Sequence, residues 1–250
     1  MILPPVRYSW LKHMARSPAH VRHALDHAGD DTRALRLGRA THSYLLGGDE
    51  VILYEGRRAG AAWEAFESSH PGAVILIASE MEHVNGMRES LHRHDQAMEL
   101  LSGPHREETI RWKIGDRDCQ STPDVWGGYR LTELKTTKCA DPERFKRDAI
   151  WRGYHGQASF YQRALLHRGF AASVVSIVAV ESTPPYPVTI LELTPRALEA
   201  GEKLWRGWFE RLLVCEASNY WPAYSESIVE FDVEDSGETT IVIDGEDVPL

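Results

Sequence analysis

Two acids and a lysine, Asp124, Glu133 and Lys135, flank the dipeptide Gly127-Gly128. The strand-forming runs on either side of these glycines predict a β-hairpin with a two-residue loop. In that register Asp124 faces Leu131. Because alternate side chains of a strand share one face, Glu133 and Lys135 lie on the face of Asp124, with Glu133 its diagonal neighbour about 7–8 Å away.

This grouping predicts a site for a divalent cation. Two carboxylates on one face repel each other unless a positive charge lies between them. Mg²⁺ prefers carboxylate and carbonyl oxygens, and the ammonium of Lys135 could hold a water or a phosphate oxygen beside it. Such a group can hydrolyse a phosphodiester. The hairpin alone also fits a solvent-facing strand with a Glu-x-Lys charge pair, so the residues leave both interpretations open.

Three motifs resemble those of a known superfamily. Pro123-Asp124, followed by Glu133-Leu134-Lys135, resembles the signature of the PD-(D/E)XK nucleases. Gln157 and Tyr161 resemble the Gln-x-x-x-Tyr motif of the RecB-like branch, and Gly38-Arg39-Ala40-Thr41-His42 resembles its Gly-x-x-x-His motif. The layout of residues 5–225 is most similar to the nuclease domains of exonuclease VIII (RecE) and its phage relatives. One departure is Thr122, where these enzymes often have a basic residue.

The resemblance implies a ligand set and a cofactor. Asp124 and Glu133 would bind the metal, and His42 and the carbonyl group of Leu134 would complete its coordination. The cofactor would be Mg²⁺, for which Mn²⁺ can substitute. Without the resemblance, a lone histidine in a helix would be read as an ordinary surface or core residue.

The resemblance also implies roles for three residues outside the ligand set. Lys135 would orient or activate the attacking water and stabilise charge on the phosphate. Gln157 and Tyr161 are four residues apart, so they share one face of a helix and would position the DNA. A polar stripe packed against the sheet is the alternative interpretation of that helix face.

The predicted fold is α/β and restriction-endonuclease-like, a mixed central sheet flanked by helices with the active site at one edge. A helix over residues 32–46 would carry His42. Another over residues 142–167, interrupted near Gly153 and Gly156, would carry the Gln-x-x-x-Tyr motif. Apolar residues 172–180 predict a central strand, and residues 188–193 its neighbour.

A further strand is predicted over residues 107–114, leading through Gly115-Asp116 into the strand of Asp124. It begins with the acids Glu107 and Glu108. We interpret this pair as a solvated edge pair, although an acid here could approach the metal.

Charge divides the chain into two parts. Net charge is −9, and nine of the 37 acids lie in residues 226–250, which contain no lysine or arginine. Residues 1–225 hold 28 acids against 28 lysines and arginines and are therefore neutral. We expect a nuclease domain over residues 1–225 and an acidic tail over 226–250, with a strand-like piece at residues 239–244. A neutral domain can still carry a basic groove.

Composition excludes several other classes of protein. The three cysteines are widely spaced, which indicates a reducing compartment and argues against a zinc or iron–sulfur site. No apolar run is long enough to span a membrane, and the first residues lack the apolar stretch of a signal peptide. We therefore expect a cytoplasmic protein.

The function expected from the resemblance is a divalent-metal-dependent deoxyribonuclease, an exonuclease acting on free ends of duplex DNA in phage-type recombination. A homo-oligomer and a single-strand annealing protein are the expected partners. One alternative is a RecB-like single-strand nuclease of repair or CRISPR adaptation, although the adaptation enzymes usually carry a four-cysteine cluster. Another alternative is an inactive DNA-binding protein with a nuclease fold. The complete set of motif residues argues against this alternative.

Overall fold

The computed structural model describes residues 4–27, 29, 31–232, 240–243 and 246–249, the last two ranges for the backbone alone. Within them, helices come first and strands predominate in the middle of the chain. The helices are α1 (Tyr8–Leu11), α2 (Pro18–Asp26), α3 (Arg33–Leu46), α4 (Ala61–Ser69), α5 (Ala78–His92), α6 (Asp95–Leu100), α7 (Pro142–Trp151), α8 (Tyr154–His167) and α9 (Pro195–Ser218). A 3₁₀ turn, Lys12–Ala15, separates α1 from α2.

The strands form one main sheet and three small ones. They are β1 (Val51–Leu53), β2 (Val74–Leu76), β3 (His105–Arg106), β4 (Ile110–Ile114), β5 (Arg117–Ser121), β6 (Val125–Gly127), β7 (Arg130–Thr137), β8 (Val174–Glu181), β9 (Val188–Glu192), β10 (Thr240–Ile243) and β11 (Glu246–Pro249). The main sheet has the order β3-β6-β7-β8-β9, in which only β7 and β8 are parallel neighbours. The sheet is therefore mixed, as predicted.

Helices cover both faces of this sheet. Leu131 and Val175 belong to an apolar core that they share with α1, α8 and α9. Leu134 and Val178 point the other way, into a core shared with α3, α5 and α6. Six consecutive residues of β8, 175–180, are buried, which explains why that strand is apolar without alternation. The predicted fold class is confirmed.

The hairpin that carries the acids turns one residue later than predicted. Trp126 pairs with Leu131, so the two-residue loop is Gly128-Tyr129 and not Gly127-Gly128. The predicted pairing of Asp124 with Leu131 is therefore wrong.

Glycine is required at positions 127 and 128 for two different physical reasons. Gly128 has φ of +62°, the conformation that favours glycine at the first central position of such a turn. Gly127 instead allows a close approach, because a Cβ there would lie 2.3 Å from Cδ of Pro104. The later turn shifts the pairing by two residues, so side chains keep their predicted faces.

The region before Asp124 also differs from its prediction. The predicted strand of residues 107–114 begins only at Ile110, and β4 and β5 form a separate antiparallel pair. Asp124 lies just before β6, not on the strand that follows Gly115. The short strand β3 takes the edge position beside β6 instead.

The long helix predicted over residues 142–167 is interrupted, as expected, at Gly153. This residue has φ of +71° and separates α7 from α8. The hydroxyl group of Tyr8 donates a hydrogen bond to the Gly153 carbonyl group. A Cβ on Gly153 would lie 2.6 Å from that hydroxyl oxygen, so the joint depends on a close approach between α1 and the α7–α8 break.

The chain leaves the helical layers after α9. Pro222 accepts a hydrogen bond from the Ala19 N–H (3.1 Å), and the Tyr224 ring lies 5.4 Å from that of His20. Residues 225–232 are exposed and outside helices and strands. The predicted strand near residues 239–244 is observed as β10, which pairs with β11; residues 239 and 244 lie outside the described ranges. Among the described residues, no helix is long and apolar enough to cross a membrane.

Candidate active site

Three acids lie in a row across three neighbouring strands. Arg106 pairs with Val125, and Val125 pairs with Thr132. One step beyond these pairs, Glu107, Asp124 and Glu133 follow one another from β3 through β6 to β7. The N–H group of Glu107 donates to the Asp124 carbonyl group at 3.0 Å, which fixes the first step of the row.

Backbone N–H groups bind the carboxylates of Asp124 and Glu133 and hold the two acids side by side. The Asp124 N–H donates to Oε1 of Glu133 at 3.2 Å, and the Leu134 N–H donates to Oδ2 of Asp124 at 2.6 Å. Both carboxylates are buried, Asp124 being 6% and Glu133 1% exposed. The two acids are thus direct cross-strand neighbours, closer than the diagonal arrangement predicted from the sequence.

Helix α3 places His42 above the row of acids. Nδ1 of His42 lies 3.3 Å from Oε1 of Glu107 and 3.7 Å from Oδ1 of Asp124, while Nε2 lies 3.0 Å from the Leu134 carbonyl oxygen. Burial opposes a charged imidazole, but Asp124 and Glu107 outweigh it, so the pKa of His42 is raised. Gly38 brings α3 close to β7, since a Cβ there would lie 3.2 Å from Oγ1 of Thr136.

Lys135 stands on the other side of the acids. Its Nζ lies 2.9 Å from Oε2 of Glu133 and 4.0 Å from Oδ2 of Asp124. Burial disfavours the ammonium, but the two carboxylates outweigh burial and raise the pKa of Lys135 above its usual range. The ring of Tyr154 covers the ammonium at 5.5 Å. Lys135 is therefore held as a cation.

The acids carry more negative charge than their surroundings balance. Burial, followed by the charge of Asp124, raises the pKa of Glu133 to about 7, although Lys135 acts in the opposite direction. An added cation would relieve this repulsion and favour the ionised carboxylate.

Gln157 and Tyr161 project from one face of α8. Nε2 of Gln157 donates to the Tyr161 hydroxyl group at 3.1 Å. Burial raises the pKa of Tyr161, and the negative charges of Glu133 and Asp124 raise it further. The phenol is therefore neutral and can donate a hydrogen bond towards the acids' side of the site.

The donor set fits a hard divalent cation. His42, Glu107 and Asp124 each offer one ligand atom, and these atoms lie within 4.8 Å of one another. Two of the three donors are carboxylates, which Mg²⁺ and Mn²⁺ prefer, and the Leu134 carbonyl oxygen lies beside them. Glu133 lies next to this cluster, with its two oxygens hydrogen-bonded to Asp124 and Lys135.

The structure therefore brings together every residue that the sequence motifs singled out, and adds Glu107. The interpretation of Glu107 as a solvated edge residue is wrong, because its carboxylate meets His42. The backbone φ of Glu107, +48°, is unusual for a residue other than glycine, and its side chain lies in the site. The only signal in the sequence was the presence of an acid shortly before the hairpin. Its neighbour Glu108 instead binds Arg168 at 2.6 Å.

An open groove leads to these groups. It has a volume of about 410 Å³ and runs along α3 to β7. Its walls combine the site residues His42, Glu107 and Lys135 with Tyr154 from α8 and the loop that follows α3. A substrate strand can therefore reach the acids from solvent.

The mixed sheet, the paired acids with their lysine and the histidine above them are the features of the PD-(D/E)XK nuclease superfamily. The profile of the family described as "PDDEXK-like domain of unknown function (DUF3799)" matches residues 8–232, and the chain belongs to this family. No curated protein matches the chain.

One solved structure is similar over almost the whole length of both chains. It is the crystal structure of a protein from Eubacterium rectale that was assigned as an exonuclease. The two chains are 13% identical, the match covers 90% of this chain and 89% of the other, and the TM-score is 0.67. At this identity the likeness shows a shared fold.

Proposed function

We propose that the protein is a cytoplasmic, divalent-metal-dependent exodeoxyribonuclease that degrades duplex DNA from free ends. The observation that carries this proposal is the convergence of Glu107, Asp124 and Glu133 with His42 and Lys135 at one end of an open groove. Three carboxylates so close together are costly without a cation, and a hydrolase acting on phosphodiesters has a use for one.

His42, Glu107 and Asp124 would hold Mg²⁺ or Mn²⁺, with Glu133 and the Leu134 carbonyl oxygen alongside, and the ion would supply Lewis-acid stabilisation of the phosphate and a lowered pKa for water. Lys135, held as a cation by Glu133, donates hydrogen bonds to a phosphate oxygen or to the attacking water and stabilises negative charge that develops there.

The residues of α8 act on the substrate strand in this proposal. Tyr161 donates a hydrogen bond from its neutral phenol hydroxyl group to a phosphate oxygen, and Gln157 fixes the orientation of that hydroxyl group. Both residues lie on the face of α8 that is electrostatically coupled to Glu133 and Lys135. They would position the strand and take no part in proton transfer.

The exonuclease role, the recombination context and the partners are supported by the RecE-like layout of the motifs in residues 5–225. On this proposal the enzyme is a homo-oligomer that resects duplex ends and passes single strands to an annealing protein. Residues 1–225 form the nuclease domain, and residues 226–250 form the acidic tail.

A set of DNA substrates tests the proposal. Linear duplex labelled at either end, its nicked and closed circular forms and single-stranded DNA are incubated with Mg²⁺, Mn²⁺ or EDTA. We expect progressive shortening of linear duplex with either metal, no cleavage of closed circles and no cleavage in EDTA. Cleavage of closed circles, which have no free ends, would show that the enzyme is an endonuclease and not an exonuclease. Failure to cut any substrate with either metal would leave a DNA-binding protein without activity.

A further inference from the structure

An exposed aromatic residue lies at the joint between α7 and α8. Trp151, the last residue of α7, is 82% exposed, and Ile150 before it is 66% exposed. The guanidinium carbon of Arg152 lies 5.7 Å from the centroid of the Trp151 ring. The joint thus presents a flat apolar surface with a cation at its side, the combination that binds unpaired nucleobases and their phosphates.

This surface lies close in the chain to a residue of the candidate active site. Tyr154 follows three residues after Trp151, lines the groove and places its ring 5.5 Å from Nζ of Lys135. Between them, Gly153 is held by its hydrogen bond from Tyr8. The joint is therefore fixed next to the catalytic lysine by packing on both sides.

Two cations at the joint have no acidic partner. Within the described residues, neither Lys12 nor Arg152 forms an ion pair, whereas Lys146 on the same helix as Trp151 pairs with Glu143. Lys12 follows α1 directly, so the Tyr8–Gly153 hydrogen bond also brings it near Arg152. Lys12 is exposed on one side, but desolvation by the surrounding protein lowers its pKa, and the positive charges of Lys135 and Arg152 lower it further. Lys12 is thus close enough to Lys135 and to Arg152 to be repelled by both, and an anion would relieve that repulsion.

We propose that Trp151, Arg152 and Lys12 bind an unpaired segment of the DNA strand that enters the candidate active site. A base stacks on the Trp151 ring, and the adjoining phosphates lie against the two cations. The segment is unpaired because the faces of a base inside a duplex are covered by its neighbours. This inference rests on the proposed function and adds to it that the strand reaches Lys135 as a single strand.

The test compares single-stranded and duplex binding. Anisotropy of labelled oligothymidine and of a labelled blunt duplex is measured with the full-length chain, with Ca²⁺ in place of Mg²⁺. We expect Trp151→Ala to weaken oligothymidine binding roughly five- to a hundredfold, since a stacked base contributes about 1–3 kcal/mol. Trp151→Phe should bind within a few-fold of wild type, and the blunt duplex should be much less affected.

Salt dependence tests the two cations separately from the stacking. Each phosphate contact to single-stranded DNA contributes about 0.7 to the slope of log K against log salt. The variant Lys12→Ala/Arg152→Ala should therefore show a slope smaller by about 1.4. An unchanged slope would exclude the two cations from the strand path and overturn the inference as stated.

The hairpin loop offers a matched control. Tyr129 is 52% exposed and has the guanidinium carbon of Arg130 at 5.3 Å from its ring centroid, so it matches the aromatic–guanidinium pair at the joint, except that Arg130 also pairs with Glu99 at 2.7 Å. It lies at the other end of β7 from Lys135, roughly 20 Å away along the strand. Tyr129→Ala should bind oligothymidine like wild type.

The outcomes separate this inference from the proposed function. If Trp151→Ala binds oligothymidine as wild type does, or if Tyr129→Ala loses as much affinity, the inference is wrong. Cleavage of linear DNA by the same wild-type preparation would then leave the proposed function standing. If the wild-type chain neither binds nor cuts DNA, the inference and the proposed function are both wrong.

Discussion

Glu107 is the single residue that most changes the chemistry of the site. The motif residues alone provide two carboxylates, and Glu133 has both of its oxygens engaged by Asp124 and Lys135. Glu107 supplies the additional oxygen that, with His42 and Asp124, completes a cluster able to bind a metal. Its left-handed backbone conformation is a local cost that this role explains.

We therefore expect Glu107→Gln to weaken Mn²⁺ binding about ten- to a hundredfold or more, the range that even outer partners of a metal site contribute. Titration calorimetry measures the affinity. Glu108→Gln is the matched control, because Glu108 is the adjacent acid but binds Arg168 and His105. Equal affinities of wild type and Glu107→Gln would remove Glu107 from the ligand set.

Substitution of Lys135 should affect catalysis without abolishing metal binding. It contacts the acids at 2.9 and 4.0 Å but offers no oxygen or neutral nitrogen to a cation. Lys135→Ala should lower the rate of cleavage about 10²- to 10³-fold, the usual effect of losing one group that stabilises a transition-state charge. Calorimetry should still detect Mn²⁺ binding. A variant that cuts linear DNA at the wild-type rate would make Lys135 an ordinary charge.

At the scale of elements, the close approach of α3 to β7 decides where His42 lies. Gly38 faces Thr136, and an added Cβ would lie 3.2 Å from Oγ1 of that residue, which is closer than ordinary contact. Gly38→Ala should therefore push α3 outwards by a few tenths of an ångström. Because a small misplacement of a site residue is costly, Mn²⁺ affinity should fall a few-fold.

The double variant Gly38→Ala/Thr136→Ala provides the control for this idea. Removing Oγ1 opens the space that the new methyl group needs, so affinity should return towards the wild-type value. Alanine also favours a helix interior over glycine by about 1 kcal/mol, so thermal stability should not fall. A loss of affinity that persists in the double variant would contradict the packing argument.

A buried ion-pair network ties α3 to α5. Glu80 is 2% exposed and accepts hydrogen bonds from Arg36 at 3.0 Å, from Arg58 at 2.8 Å and from the Ile77 N–H at 3.2 Å. Burial alone would raise its pKa, but the two guanidinium groups and the N–H outweigh burial and lower the pKa to about 2.

This network predicts a pH dependence of stability. A carboxyl whose pKa is lower in the folded than in the unfolded chain binds fewer protons when folded, so its contribution is complete above pH 4.5 and is lost as the pH falls towards 2. Glu80→Gln should cost about 3 kcal/mol at pH 7, since it removes the buried negative charge between two half-buried guanidinium groups, of which only Arg36 keeps another acidic partner, Asp31. Urea unfolding at pH 7 and pH 3 measures this, and the difference between wild type and variant should shrink at pH 3. A difference independent of pH would contradict the assignment.

The sequence predicts this architecture where local rules decide, and fails where tertiary contacts decide. The helix predicted over residues 32–46, the helix start predicted at residue 142 and the apolar strand predicted over residues 172–180 are all present in the structure. The turn was misplaced because both glycines satisfy turn chemistry, and only contact with Pro104 shows which one is needed elsewhere. Glu107 was misread because pairing between β3 and β6 spans about twenty residues and leaves no periodic signal.

At the scale of the whole molecule, residues 225–232, where the acidic end of the chain begins, are the described segment least attached to the cores. The chain is attached to the helical layers as far as Tyr224, which packs on His20, whereas residues 225–232 are exposed. Ile228 and Phe231 in that stretch are 97% and 91% exposed, so they contribute little to either apolar core. A chain that ends at Tyr224 should therefore keep its melting temperature and its metal affinity.

The charge of that segment gives its removal a measurable effect on DNA binding. Residues 226–250 hold nine acids and all of the net charge of −9, so the shortened chain is neutral. Negative charge near a DNA path repels phosphates, and this repulsion is screened by salt. Affinity of the shortened chain for duplex DNA should rise at low salt, converge with the wild-type value at high salt, and leave the cleavage of linear DNA intact. An unchanged affinity at low salt would show that the tail does not act on the DNA path. Unfolding, or a change of oligomeric state measured by light scattering, would instead make the tail part of the fold or of an interface and move the domain boundary beyond residue 225.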